Sequence, residues 1–318
     1  MSCKIQRQTT VAPQITGRRL DQLAVELFAD FSRARIQEWI KAGDLTVNGA
    51  RCKPRHKLYG GEHLSVVAYI EDEQRWQPQD IPLDVVHADE HLIVINKPDD
   101  IVVHPGAGVP DGTLLNALLY HFPELAALPR AGIVHRLDKQ TTGLMVIARS
   151  LPAHTHLVEQ LQSRTLGREY EAVVFGELTG GGSIDRPISR HPTQRTKMAI
   201  VLEGKEAITH YRLLERFTGY SHIHCRLETG RTHQIRVHMA AIHHPLVGDP
   251  LYLGRKRWSA GTPMELRSMI ADFPRQALHA QSLSLVHPVD GKLLSWQAPL
   301  PADMQRLLKA LNDYKGRE

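Results

Sequence analysis

The residues best suited to chemistry in this 318-residue chain lie between Ala131 and Arg149. A charged core, His135-Arg136-Leu137-Asp138-Lys139, is set between two apolar runs. Val134 and Leu137 suit a hydrophobic core while Arg136 and Asp138 point the other way. Leu144 to Ala148 read as a buried strand, and Gly143 permits a turn before it. A carboxylate and several cations are thus held on rigid, partly buried backbone, where such groups are costly. The plain reading is a structural ion pair at a strand end. The sharper reading makes Asp138 an active-site carboxylate.

Two further segments carry reactive groups. Arg168-x-Tyr170-x-Ala172 places Tyr170, Ala172 and Val174 on one face of a strand. A tyrosine there offers a ring to stack on and a hydroxyl for proton transfer. Thr229-Gly230-Arg231-Thr232-His233-Gln234-Ile235-Arg236 opens on a turn at Gly230 and continues as a helix from Gln234 to Ala241. His135, His222, His224, His233, His238, His243 and His244 suggest a metal. No carboxylate or paired-cysteine set completes a recognised site, so no metal is expected. Gly106-Ala107-Gly108-x-x-x-Gly112 lacks the spacing of a dinucleotide fingerprint, so no nucleotide cofactor is expected either.

These segments need a framework to position them. Residues 1–16 are polar and read as a flexible arm. Residues 17–69 read as a small domain. Leu20, Leu23, Ala24, Leu27 and Phe28 form one helical stripe, and Ser32 caps a second helix that carries Ile36, Trp39 and Ile40 inward. Asn48-Gly49 is a hairpin turn, and Arg51, Lys53, Arg55 and Lys57 follow closely. The acidic run Glu71-Asp72-Glu73, with Pro78 and Pro82, marks 70–82 as a linker. From 83 to 318 the apolar content is that of a larger core. Strands are expected at 92–95, 144–148, 168–174 and 278–285, with helices at 114–120, 152–163 and 303–311. Many strands with few intervening helices predict an α+β fold with a mainly antiparallel mixed sheet flanked by helices and loops.

Composition narrows the class. Hydrophobic content of 42% and charged content of 23% are those of an ordinary globular protein. Lys+Arg exceed Asp+Glu by 39 to 34, which suits nucleic acid only where the charge is clustered. Three scattered cysteines form no disulfide framework. No apolar run reaches membrane-spanning length, and the first residues lack a signal-peptide core, so a cytoplasmic protein is expected.

The order Arg19-Leu20-Asp21, Ser32-Arg33-x-x-Ile36, Gly43, Val47-Asn48-Gly49 and Gly60-Gly61 resembles the RNA-binding module first named for the fourth protein of the small ribosomal subunit. That resemblance implies that Arg33, Arg35, Lys53 and Lys57 meet phosphates. Asn96-Lys97-Pro98, His104-Pro105-Gly106 and the three chemical segments together resemble the ribosomal large-subunit pseudouridine synthases. Gln140 is a minor departure, because an acidic residue is common there. The resemblance implies a cofactor-free isomerisation of uridine in large-subunit rRNA, free or in a pre-ribosomal particle. Nothing in the sequence points to an obligate partner chain, so a monomer is expected. Asp138 would be the nucleophile or base, Arg236 its cationic partner and Tyr170 the stacking and proton-transfer residue. A fixed guanidinium beside a carboxylate favours its ionised form. His135, Arg231, His233 and Gln234 would face RNA. Arg136 would fill the space left by a swung-out base, or hold a phosphate, or pair with Asp138 itself.

Overall fold

The structure is a computed structural model that describes residues 2–28, 31, 33–71, 76–106, 108–254, 258 and 262–315. The chain divides into two compact units, Met1–Arg75 and Trp76–Glu318.

The first unit contains β1 (Ser2–Thr10), β2 (Arg18–Arg19), α1 (Leu20–Leu27), α2 (Arg33–Ala42), β3 (Leu45–Val47), β4 (Ala50–Arg51), β5 (Lys57–Leu58) and β6 (His63–Glu71). Leu20, Leu23, Ala24, Ile36, Trp39 and Ile40 bury the inner faces of both helices against Leu45, Val47, Leu64 and Val66 of the sheet. The β3–β4 turn is built as expected: Asn48 and Gly49 both have positive φ, at 51° and 78°. Ser32, the expected helix cap, lies outside the described residues.

Residues 2–10 are not a loose arm. They form β1, paired antiparallel with β6 from Ser2↔Glu71 to Thr10↔His63. Gln6, Arg7 and Gln8 stay exposed, so backbone hydrogen bonds rather than apolar burial order this strand. Val11, fully buried, anchors its end. The expected linker also shrinks. The strand β6 runs to Glu71, and Asp72 and Glu73 lie outside the described residues. From Trp76 the chain is already fastened to the second unit. Trp76, Ile81 and Leu83 pack on its core. Asn116 Nδ2 donates to the Gln77 carbonyl at 2.8 Å, and Gly112 N donates to Gln79 Oε1 at 2.7 Å.

The second unit contains β7 (Val85–Ala88), β8 (Leu92–Lys97), α3 (Leu114–His121), β9 (Thr142–Ala148), α4 (Leu151–Gln162), β10 (Gly167–Phe175), β11 (Gly182–Asp185), β12 (Ile188–Arg190), β13 (Met198–Ile200), β14 (Ile208–Phe217), β15 (Tyr220–Leu227), α5 (Gln234–Ala241), α6 (Met264–Ala271), β16 (Leu278–Val286), β17 (Leu293–Gln297) and α7 (Ala302–Lys315). One nine-stranded sheet runs β11-β14-β15-β10-β16-β9-β8-β7, with β17 beside β16. Every neighbouring pair is antiparallel except β9–β16. The strand β9 is buried at all seven positions. Met145 and Ile147 face the core that holds α3 and α5, while Leu144, Val146 and Ala148 face α4. This explains its unbroken apolar run.

Gly143 sits within β9 rather than in a turn. Its φ is +113°, and a Cβ there would lie 2.3 Å from the Ala280 carbonyl oxygen. The glycine is what lets β9 and β16 approach, and their parallel pairing covers only Thr142 and Gly143. Beyond that point this edge of β9 receives the loop that carries Asp138.

Candidate active site

Residues 133–141 follow the edge of β9 released by β16. Ile133 bridges to Ile147, and the Val146 N–H donates to His135 Nε2 at 3.1 Å. Leu137 is buried beneath, and Thr141 N donates to the Asp138 carbonyl at 3.0 Å. The loop is therefore fixed on both sides of Asp138.

His135 has a structural duty that the sequence does not reveal. Its Nε2 must be unprotonated to accept the Val146 N–H. Burial, assisted by the Arg168 charge, lowers its pKa to about 3. The folded state therefore refuses the proton that the unfolded chain takes up near pH 6.5. The sign follows: this stability is fully present above pH 6.5 and is lost as pH falls toward 3, at up to about 1.4 kcal/mol per pH unit. His135→Gln keeps an acceptor that does not titrate. It should flatten the stability–pH curve in that window, as read by urea unfolding at stepped pH. An unchanged slope contradicts this role.

Across the loop, Arg236 enters from the first turn of α5. Its Nη1 donates to Asp138 Oδ2 at 2.9 Å. Its Nε and Nη2 form a fork on Asp249, at 2.7 and 2.9 Å. Asp249 Oδ1 also accepts the Leu251 and Tyr252 N–H groups. The guanidinium lies 5.1 Å from the centre of the Tyr252 ring. Burial alone pulls its pKa down, but Asp249 and Asp138 outweigh burial and raise it. Two carboxylates thus share one buried cation.

Two other groups lie close to Asp138. His233 Nε2 is 3.9 Å from Asp138 Oδ1, beyond hydrogen-bond range. The Tyr252 hydroxyl accepts the Met198 N–H and so can donate to His233 Nδ1, 2.8 Å away. That tautomer leaves the His233 proton on Nε2, toward Asp138. Burial lowers the His233 pKa, which favours this neutral ring. Lys97 is fully buried at the end of β8. Its ammonium donates to the carbonyls of Pro98, Ile101 and Lys139 at 2.7, 3.1 and 2.9 Å, fastening the residue after Asp138. Burial lowers its pKa to about 8, opposed by Asp99 and Asp138.

Tyr170 lies on β10 opposite an irregular stretch of β16, where the register shifts between Glu169 and Glu171. Its ring is buried and shares a pocket with Asp138 and Arg236. Burial chiefly raises its pKa, so the hydroxyl is protonated at neutral pH. Its strand neighbour across β15 is Cys225, fully buried, whose thiol burial pushes up to about 12.

Asp138 and Tyr170 open onto a cleft of about 1010 Å³. Arg130, Arg136, Arg164, Arg168 and Arg231 line it, against the carboxylates of Asp138 and Glu228. Such a wall attracts a polyanion.

The other expected site residues divide. Arg136 is exposed at the cleft, and Asp138 pairs with Arg236 instead, so the ion pair considered for Arg136 is not formed. Arg231 lines the cleft while its Nε donates to the Glu206 carbonyl. Gln234 does not face RNA: it is buried, and its amide is held by Thr229, Arg231, Ile208 and Thr209. In the first unit Lys53 and Lys57 are exposed beside Arg51 and Arg55, and Arg35 pairs with Glu38. The Arg33 side chain lies outside the described residues. Asp249, Lys97 and Tyr252 escape sequence reasoning. Asp249 in Gly248-Asp249-Pro250 reads as a turn, and Lys97 reads as a strand end. Among the described residues no group of three or more His, Cys, Asp or Glu is arranged to hold a metal. His222 and His224 sit instead against Glu171 and Glu169.

The site thus joins an aspartate held by a buried arginine to a tyrosine beside it in an arginine-lined cleft. Residues 91–241 match the family model described as RNA pseudouridylate synthase, and residues 18–64 match that of the S4 domain. The chain belongs to the RNA pseudouridylate synthase family. Within it, the chain is 56% identical over 312 residues to ribosomal large subunit pseudouridine synthase D of Escherichia coli (strain K12), covering 98% of this chain and 96% of that relative. The protein of the same name from Vibrio parahaemolyticus is 55% identical, with the same coverage. Among solved structures, human RNA pseudouridylate synthase domain containing 4 matches with a TM-score of 0.57 and 26% identity, covering 72% of this chain and 93% of that one.

Proposed function

We propose that this protein isomerises specific uridines of large-subunit ribosomal RNA to pseudouridine, with Asp138 as nucleophile or base. The observation that carries the reading is the Asp138–Arg236 ion pair, backed by Asp249 and set beside Tyr170 in an arginine-lined cleft. Isomerisation breaks the bond from the sugar to the ring nitrogen, turns the uracil and joins the same sugar carbon to a ring carbon. That carbon's proton leaves and the ring nitrogen gains one. The sum is redox-neutral and brings in no external group, so no cofactor is called for. Asp138, paired with Arg236, supplies the attacking oxygen or the base. The Tyr170 ring stacks on the displaced uracil, and its hydroxyl serves the proton exchange. The target base must leave its stack, at a cost of a few kcal/mol, which the basic cleft offsets. The protein acts as a single chain in the cytoplasm, on rRNA or on a pre-ribosomal particle.

Mapping pseudouridines in the large-subunit rRNA of a deletion strain and its parent tests the reading. Loss of defined sites, restored by the purified protein in vitro, is the expected result. Identical maps overturn it.

The first unit supplies affinity. Arg51, Lys53, Arg55 and Lys57 contact phosphates, which fix position without reading sequence. A chain beginning at Trp76 should fold and bind RNA about tenfold more weakly. Its plot of log Kd against log salt should be shallower by about 0.7–0.9 for each phosphate that the shortened protein no longer neutralises. Unchanged affinity and slope by filter binding contradict this.

A further inference from the structure

Arg168 is a buried charge of the second unit that the site leaves without a counterion. It is 7% exposed, and among the described residues its side chain makes no hydrogen bond or ion pair. Its buried Nε has no partner. The other buried arginines described in this unit are matched, Arg236 by Asp249 and Arg275 by Asp303. Arginine does not discharge by losing its proton, so an uncompensated guanidinium at this depth is costly. The backbone makes room for it: a Cβ on Gly230 would lie 2.4 Å from its Nη1. The side chain lines the cleft together with Asp138 and Tyr170. Arg168 and Tyr170 are two apart on β10, hence on one face and about 7 Å apart along the strand.

We propose that Arg168 is the seat for one of the two phosphodiesters flanking the reacting uridine. The base lies against Tyr170, and the adjoining phosphate completes the ion pair that the folded protein lacks. The guanidinium fork suits two non-bridging oxygens. Arg168 thereby positions the nucleotide, and it takes no part in bond breaking. This inference rests on the activity proposed above.

The test uses the full-length protein and an rRNA fragment containing one mapped target uridine. In a series of such RNAs a single linkage is replaced by a neutral methylphosphonate: on the 5′ side of the target, on its 3′ side, or three nucleotides away. For the wild type, one flanking substitution should lower kcat/KM about ten- to hundredfold, and the distant one should not. Arg168→Gln should lose a similar factor on the unsubstituted RNA and lose little more on the flanking methylphosphonate. Wild-type indifference to both flanking substitutions overturns the phosphate seat, whatever the variant does. So does a variant that loses the same further factor as the wild type. Conversion of the unsubstituted RNA by the wild type separates these outcomes from failure of the activity itself, which would overturn both.

Discussion

Asp138→Asn should give a folded protein that binds its RNA within a few-fold of the wild type and forms pseudouridine at least about 10³-fold more slowly. The amide retains the shape and one oxygen for Arg236 Nη1, and it can neither attack nor accept a proton. Stability should hold within about 1 kcal/mol, because two carboxylates now share one guanidinium and Asp249 keeps its two hydrogen bonds. Single-turnover pseudouridine assays, filter binding and urea unfolding measure the three quantities. A variant that still turns over at a tenth of the normal rate removes Asp138 from the chemistry.

Arg236→Lys should damage both stability and turnover. The guanidinium serves Asp249 through Nε and Nη2 and Asp138 through Nη1, while being 4% exposed. An ammonium retains the charge without the fork, so it meets one carboxylate and strands the other. A buried pair broken in this way loses about 3 kcal/mol or more of unfolding free energy. If the ammonium stays with Asp249, Asp138 loses its partner and kcat falls by about 10² or more with little change in RNA affinity. A change confined to KM contradicts the role given to Arg236.

The sequence makes part of this site legible and conceals the rest for identifiable reasons. Asp138 and Arg236, 98 residues apart, are paired by motif resemblance alone. The antiparallel sheet is readable because β9, β10 and β16 keep unbroken or alternating apolar patterns. The strand β1 is not, since its order comes from main-chain pairing with β6, and pairing leaves no mark on side-chain composition. Asp249 is hidden because a carboxylate between Gly248 and Pro250 is ordinary turn chemistry, and only the fold brings Arg236 to it. Gln234 is misplaced for the opposite reason. A polar residue beside Arg236 reads as substrate-facing until the Thr229 turn closes over its amide. Lys97 follows an apolar run and reads as a strand end, yet three carbonyls converge on its ammonium.

The thiol of Cys225 sits directly across the strand pair from Tyr170, with no path to solvent and little tendency to ionise. Alkylating reagents act on thiolates, so the residue is mute while the two strands stay zipped. In a variant carrying Cys3→Ser and Cys52→Ser, the uptake of a thiol-directed label becomes a clock. Each modified molecule records one opening of the strand pair beside Tyr170, and RNA that grips the neighbouring pocket should slow its ticking.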